Sequence, residues 1–133
     1  MKKLILVLLF SVIGSANAAN RVSLTKVFFA VDQDTLDSTA KSNLDLNLKI
    51  LRETNSLIVL DGHCDSRGSS EYNFSLGQRR ATAVRKYYLA HGIPAARLIT
   101  VSFGKEEQLG LWDETTPVDL SINRVVGTTI LVI

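Results

Sequence analysis

The chain is expected to fold as a single α/β domain, an α+β two-layer sandwich. It should have a small mixed four-stranded sheet and two main helices on one face. Three observations lead to this expectation. Four short segments are rich in β-branched and aromatic residues, the composition of strands. Two longer segments carry apolar residues at steps of three and four, the period of an amphipathic helix. The two kinds alternate in the order β-α-β-α-β-β, which is the pattern of helices layered on a sheet.

Val22 to Val31, centred on Val27-Phe28-Phe29, reads as the first strand. Asp32-Gln33-Asp34 breaks it, and Asp34 with Asp37 three residues on suggests a helix N-terminus there. From Thr35 to Glu53, Leu36, Ala40, Leu44, Leu48 and Leu51 form one apolar stripe. Leu57-Ile58-Val59-Leu60 is apolar on both faces, as an interior strand should be. Tyr72 to His91 reads as the second helix, closed by Gly92 with Pro94 just beyond. Leu98 to Phe103 and Arg124 to Ile133 read as the remaining strands, separated by an irregular stretch that holds Trp112 and Pro117. Trp112 is expected to cap the core beneath that stretch. Strand order does not follow from these patterns.

The beginning of the chain has the form of a Sec-type signal peptide. Met1-Lys2-Lys3 is a positive n-region, Leu4 to Ile13 an apolar h-region, and Gly14 to Ala18 offers an A-x-A cleavage site. The apolar run is about half of the roughly 20 residues that span a bilayer, so cleavage after Ala18 is expected rather than anchoring. Residues 1–18 would then be removed and residues 19–133 would form the exported domain, with no transmembrane segment. No cysteine lies near the cleavage site, so lipid anchoring is not expected. Cleavage also removes Lys2 and Lys3, which lowers the 15 basic residues to 13 and balances the 13 acids. A near-neutral domain without a basic stripe is not expected to bind nucleic acid. Cys64 is the sole cysteine, so no internal disulfide can form.

The informative region runs from Asp61 to Val84. A strand leads into a polar loop in which Gly62 and Gly68 permit an unusual backbone path, and the second helix follows. Leu76, Arg80, Ala83 and Tyr87 share one helical face, so Arg80 interrupts the stripe that should meet the sheet. An unpaired buried guanidinium is costly, so Arg80 must be paired or must open onto a pocket. Asp65, at the strand end, is the natural counterpart. One reading is a plain Asp65–Arg80 salt bridge that pins the loop to the helix. The other is a clamp for a small zwitterion, with Asp65 receiving an ammonium and Arg80 forking onto a carboxylate.

This region resembles the peptidoglycan-binding segment of OmpA-like domains. The pattern appears here as Gly62-His63-Cys64-Asp65, Gly68, Tyr72-Asn73, Leu76, Arg79-Arg80-Ala81 and Val84, and 15 positions separate Asp65 from Arg80. The similarity extends upstream to Val27–Asp32 and downstream through Gly92-Ile93-Pro94 to Ser102–Glu106. The resemblance implies a β-α-β-α-β-β domain that holds the diaminopimelate of the peptidoglycan stem peptide, with Asp65 on the ammonium and Arg80 on the carboxylate. It further implies secondary contacts at Asn73 and Asp32, and at Arg124, which matches the first arginine of the family's N-R-R.

The chain departs from the family where Val125 replaces the second arginine and where Ala30 replaces a polar residue. Those changes favour the rival reading, a protein-interaction module of a secretion, motility or Tol-type envelope complex with a structural Asp65–Arg80 pair. In either case the protein would be periplasmic, peripheral to the outer membrane, and would lack a cofactor. Catalysis is not expected, because no G-x-S-x-G nucleophile element is present. His63 and Cys64 should point to opposite faces of a strand, which argues against a shared metal ion. Cys64 is expected to be a small buried core residue.

Overall fold

The computed structural model describes residues 20–65, 67–105 and 123–132. The expected leader, Trp112 and Pro117 lie outside the described residues. The elements are β1 (Arg21–Ser23), β2 (Val27–Phe28), α1 (Ser38–Leu51), β3 (Leu57–His63), α2 (Ser70–Ala90), a 3-10 turn (Ala95–Arg97), β4 (Leu98–Gly104) and β5 (Val125–Leu131). The sheet order is β1-β5-β3-β4, and β2 also pairs with β5. β3 and β4 are parallel, joined by the α2 crossover that parallel strands require, and the other pairs are antiparallel. β3 is therefore interior, as its two-sided apolarity predicts.

Both helices pack on one face, as expected. Leu44, Leu48 and Leu51 of α1 and Ala81, Val84 and Tyr88 of α2 meet Ile58, Leu60, Val126 and Ile130 of the sheet in one core. Alternation sends Val59, Asp61 and His63 of β3 to the opposite side.

Three local expectations are corrected. The first strand is two strands, which makes five in all. Thr25 turns its backbone away from the ladder, donating its N–H to Asn47 Oδ1 at 3.0 Å and accepting from Asn47 Nδ2 at 2.8 Å. Asn47 lies in the apolar stripe of α1 and also donates to Tyr88 Oη, which is bonded to Thr128 Oγ1. Helix α1 starts after Asp37, not Asp34, because Asp37 Oδ1 accepts from the Ala40 N–H at 2.7 Å. Asp34 instead pairs with Arg79 at 3.2 Å.

The third correction concerns the roll of α2. Its buried residues include Asn73, Gly77, Arg80, Ala81, Val84 and Tyr88, whereas Ala83 and Tyr87 are half-buried. Two glycines set this roll. A Cβ at Gly62 would land on the carbonyl oxygen of Gly77, so helix and strand meet backbone to backbone. Gly62 therefore serves close approach, and it is Gly68 that takes a left-handed φ of 90° in the loop.

A charged pocket at the end of strand β3

Where β3 runs out and α2 begins, a cavity of about 260 Å³ opens between the loop after β2, the loop after β3 and the start of β5. Its walls include Asp32, Asp65, Asn73, Arg80 and Arg124, so all five sequence-predicted site residues share one pocket. Arg67, Tyr72 and Gly68 join them. Two carboxylates thus face three guanidiniums.

Asp65 follows the last ladder bond of the strand, in which the Cys64 N–H donates to Gly104 O at 2.8 Å. Its side chain is only 8% exposed, yet its partner is not Arg80. Arg67 reaches back two residues, placing Nη2 2.7 Å from Asp65 Oδ2 and Nε 3.2 Å from Oδ1. The Arg67 N–H adds a bond to Oδ1 at 3.1 Å, and Arg124 Nη1 stands 3.4 Å from Oδ2. These donors, Arg67 first, hold the Asp65 carboxyl below the usual aspartate range against the opposing effect of burial. The simple Asp65–Arg80 salt bridge is therefore corrected to an Asp65–Arg67 pair flanked by Arg124.

Arg80 is fully buried and is satisfied mostly by carbonyl oxygens. Nε donates to Gln33 O at 2.8 Å, Nη1 to His63 O at 3.1 Å and Nη2 to Ala30 O at 3.0 Å. Nη1 also lies 3.5 Å from Cys64 Sγ, and the Phe29 ring centroid is 5.3 Å from Cζ. Four of the five guanidinium hydrogens are thereby committed, leaving one on Nη2. The expected two-pronged fork onto a carboxylate is not available in this geometry. Burial draws the Arg80 pKa below the usual arginine value. Arg80 ties the loop after β2, the end of β3 and α2 together while directing its charge to the pocket floor.

The remaining predicted residues form the rim and the brace. Asp32 sits in a left-handed turn with φ 56°, and its Oδ1 accepts from Tyr72 Oη at 3.1 Å across the mouth. Asn73, buried, donates both Nδ2 hydrogens to the carbonyls of Arg67 and Ser69, so it holds the loop in shape. Arg124 donates Nε to Phe29 O at 2.9 Å and turns its other end to Asp65. Cys64 is buried as expected. Its Sγ donates to Asn73 O at 3.1 Å, and burial pushes its pKa up, away from thiolate chemistry.

The two departures from the family pattern lie off this pocket. Val125 is buried and lines a separate hollow of about 440 Å³ on the other side of the sheet, beside Asp61 and His63. Ala30 contributes its carbonyl oxygen to Arg80, a role that no side chain affects. Sequence reasoning missed Arg67 and Tyr72 as pocket residues. The available signal was the two-residue spacing of Arg67 from Asp65 within a loop, where a short return is geometrically easy.

Comparison with known proteins agrees with this architecture. The OmpA family profile matches residues 28–124. Over 84 residues the chain is 42% identical to the peptidoglycan-associated lipoprotein of Pseudomonas aeruginosa, covering 63% of this chain and 50% of that protein. The protein of the same name from Agrobacterium fabrum is 36% identical over 107 residues, covering 76% of this chain and 60% of the relative. The chain thus spans half to three-fifths of the length of these curated relatives. The crystal structure of the peptidoglycan-associated lipoprotein from Burkholderia pseudomallei superposes with a TM-score of 0.70 at 32% identity, covering 79% of this chain and 88% of that one. By profile, relatives and fold, the chain belongs to the OmpA family.

Proposed function

We propose that this protein binds peptidoglycan non-covalently through the diaminopimelate side chain of the stem peptide, without catalysis. In this reading it is an exported, periplasmic envelope protein, peripheral to the outer membrane. One observation carries the reading: a nearly buried carboxylate and three guanidiniums converge on a single small cavity. Opposite charges at fixed separation suit a zwitterion and discriminate against a plain ammonium. The names of the relatives, peptidoglycan-associated lipoproteins, point to the same polymer.

In the proposed complex Asp65 accepts the ammonium. The carboxylate meets the remaining Nη2 hydrogen of Arg80, with Arg124 beside it. Asp32 and Tyr72 close the rim, and Asn73 keeps the loop in register. The rival reading, a protein-interaction module, drew on Ala30 and Val125, neither of which lines the pocket.

Co-sedimentation with purified sacculi tests this directly. The wild-type protein is expected in the pellet with diaminopimelate-type sacculi, and Asp65→Asn in the supernatant. Lysine-type sacculi should retain neither, since lysine lacks the terminal carboxylate. Equal sedimentation of wild type and Asp65→Asn would sink the proposal. Arg80→Ala is a poor probe, because it also removes the hydrogen bonds that tie three backbone carbonyls to α2.

A further inference from the structure

The pocket holds more positive charge than one zwitterion can use, and one of its three arginines is held less firmly than the others. Arg80 is locked by three carbonyls, and Arg124 is tied to Phe29 O. Arg67 differs. Its side chain is 55% exposed, and its only side-chain hydrogen bonds among the described residues go to Asp65. Its backbone is nevertheless pinned, with N–H on Asp65 Oδ1 and C=O on Asn73 Nδ2. The guanidinium can therefore pivot at little desolvation cost while the loop stays in place.

This arrangement matters because Arg67 occupies the position an incoming ammonium needs. Both oxygens of the nearly buried Asp65 carboxylate are engaged by Arg67. A bound ammonium must displace it. A displaced guanidinium next to a new ammonium is repelled unless it finds an anion. Diaminopimelate carries a second carboxyl group at its main-chain end. That group is a free carboxylate where a stem peptide stops at this residue, and it is consumed in an amide bond where the peptide continues.

We infer that Arg67 is a displaceable guanidinium that reads this second carboxylate, so that the protein prefers stem peptides ending at diaminopimelate. The inference rests on the diaminopimelate reading above and adds a specificity to it. In this structure Arg67 closes over Asp65. In the complex it leaves Asp65 to the ammonium and pairs with the main-chain carboxylate at the pocket mouth. Arg67 thus guards the site against simple amines, and its release is compensated only by a ligand whose diaminopimelate main-chain carboxylate is free.

Calorimetric titration with two synthetic peptides distinguishes the possibilities. One is the stem tripeptide L-alanyl-D-glutamyl-diaminopimelate with its main-chain carboxyl free, and the other is the same tripeptide amidated at that carboxyl alone. Wild type should bind the free acid about tenfold more tightly, the scale of one charge-assisted hydrogen bond. Arg67→Gln should bind the two peptides alike and should bind the amide more tightly than wild type does, since no guanidinium then competes for Asp65. A merely structural role for Arg67 would weaken both peptides together. Equal wild-type affinity for both peptides overturns the inference and leaves the diaminopimelate reading standing, as does a preference that survives in Arg67→Gln. Failure of wild type to bind either peptide overturns both.

Discussion

Arg67, not Arg80, is the partner of Asp65: its Nη2 lies 2.7 Å from one carboxylate oxygen and its Nε 3.2 Å from the other. Asp65 and Arg80, 15 residues apart in the sequence, line one pocket but are not bonded to each other. Each is held by other groups. Asp65 is held chiefly by a largely exposed side chain, and Arg80 by backbone carbonyls. The pocket therefore combines a rigid cationic floor with an anion whose cover can be exchanged.

The first consequence concerns acid. The Asp65 carboxyl titrates below its ordinary value because Arg67 bonds its ionised form. A depressed native value stabilises the fold above the unfolded-chain value of about 4, and that stabilisation is lost as pH falls through the native value. Denaturation midpoints of wild type and Asp65→Asn should keep a constant gap from neutral pH down to about 4 and converge only below it. A gap that closes already near pH 6 contradicts this assignment.

Arg80 should matter more for the fold than a rim residue would. Replacing it with Met keeps much of the volume but removes a charged donor from the Gln33, His63 and Ala30 carbonyls, of which Ala30 O retains the Gln33 N–H. The expected loss in urea denaturation is roughly 3 kcal/mol or more, from three lost charge-assisted hydrogen bonds, the one to His63 O buried. A loss below about 1 kcal/mol, the scale of an ordinary surface change, would contradict its role as a staple.

Gly62→Ala tests how α2 is seated. The added methyl would collide with the Gly77 carbonyl, which is backbone and cannot rotate away. Over-packing of this kind costs about 1–3 kcal/mol, and a backbone obstacle places this site at the upper end. Because the same docking positions Arg80 at the pocket floor, ligand affinity should fall along with the thermal midpoint. Unchanged stability would mean that the helix has room to shift.

Much of this was legible in the sequence because it is written locally. The stripe Leu44, Leu48, Leu51 and the run Leu57–Leu60 reveal their elements through period alone. Arg80 stood out because a charge on an apolar stripe needs an explanation. The failures are tertiary in origin. Asn47 splits the first strand by capturing the Thr25 backbone across 22 positions, which no local window contains. Tyr88 rather than Tyr87 faces the core because two glycines distant in sequence meet and set the roll of the helix. The exchange of partners at Asp65 depends on how one loop side chain folds back, and residue spacing permits that outcome without requiring it.

Recognition of a zwitterionic side chain through Asp65 is the proposal on which the other predictions about binding depend. Calorimetric titration of the protein with the diaminopimelate stem tripeptide and with its lysine counterpart tests it most directly. Zwitterion recognition predicts saturable binding of the diaminopimelate peptide and at least about tenfold weaker binding of the lysine peptide, the scale of one lost charge-assisted contact. It also predicts loss of that binding in Asp65→Asn. Equal affinity for the two peptides, or undiminished binding by Asp65→Asn, would contradict it.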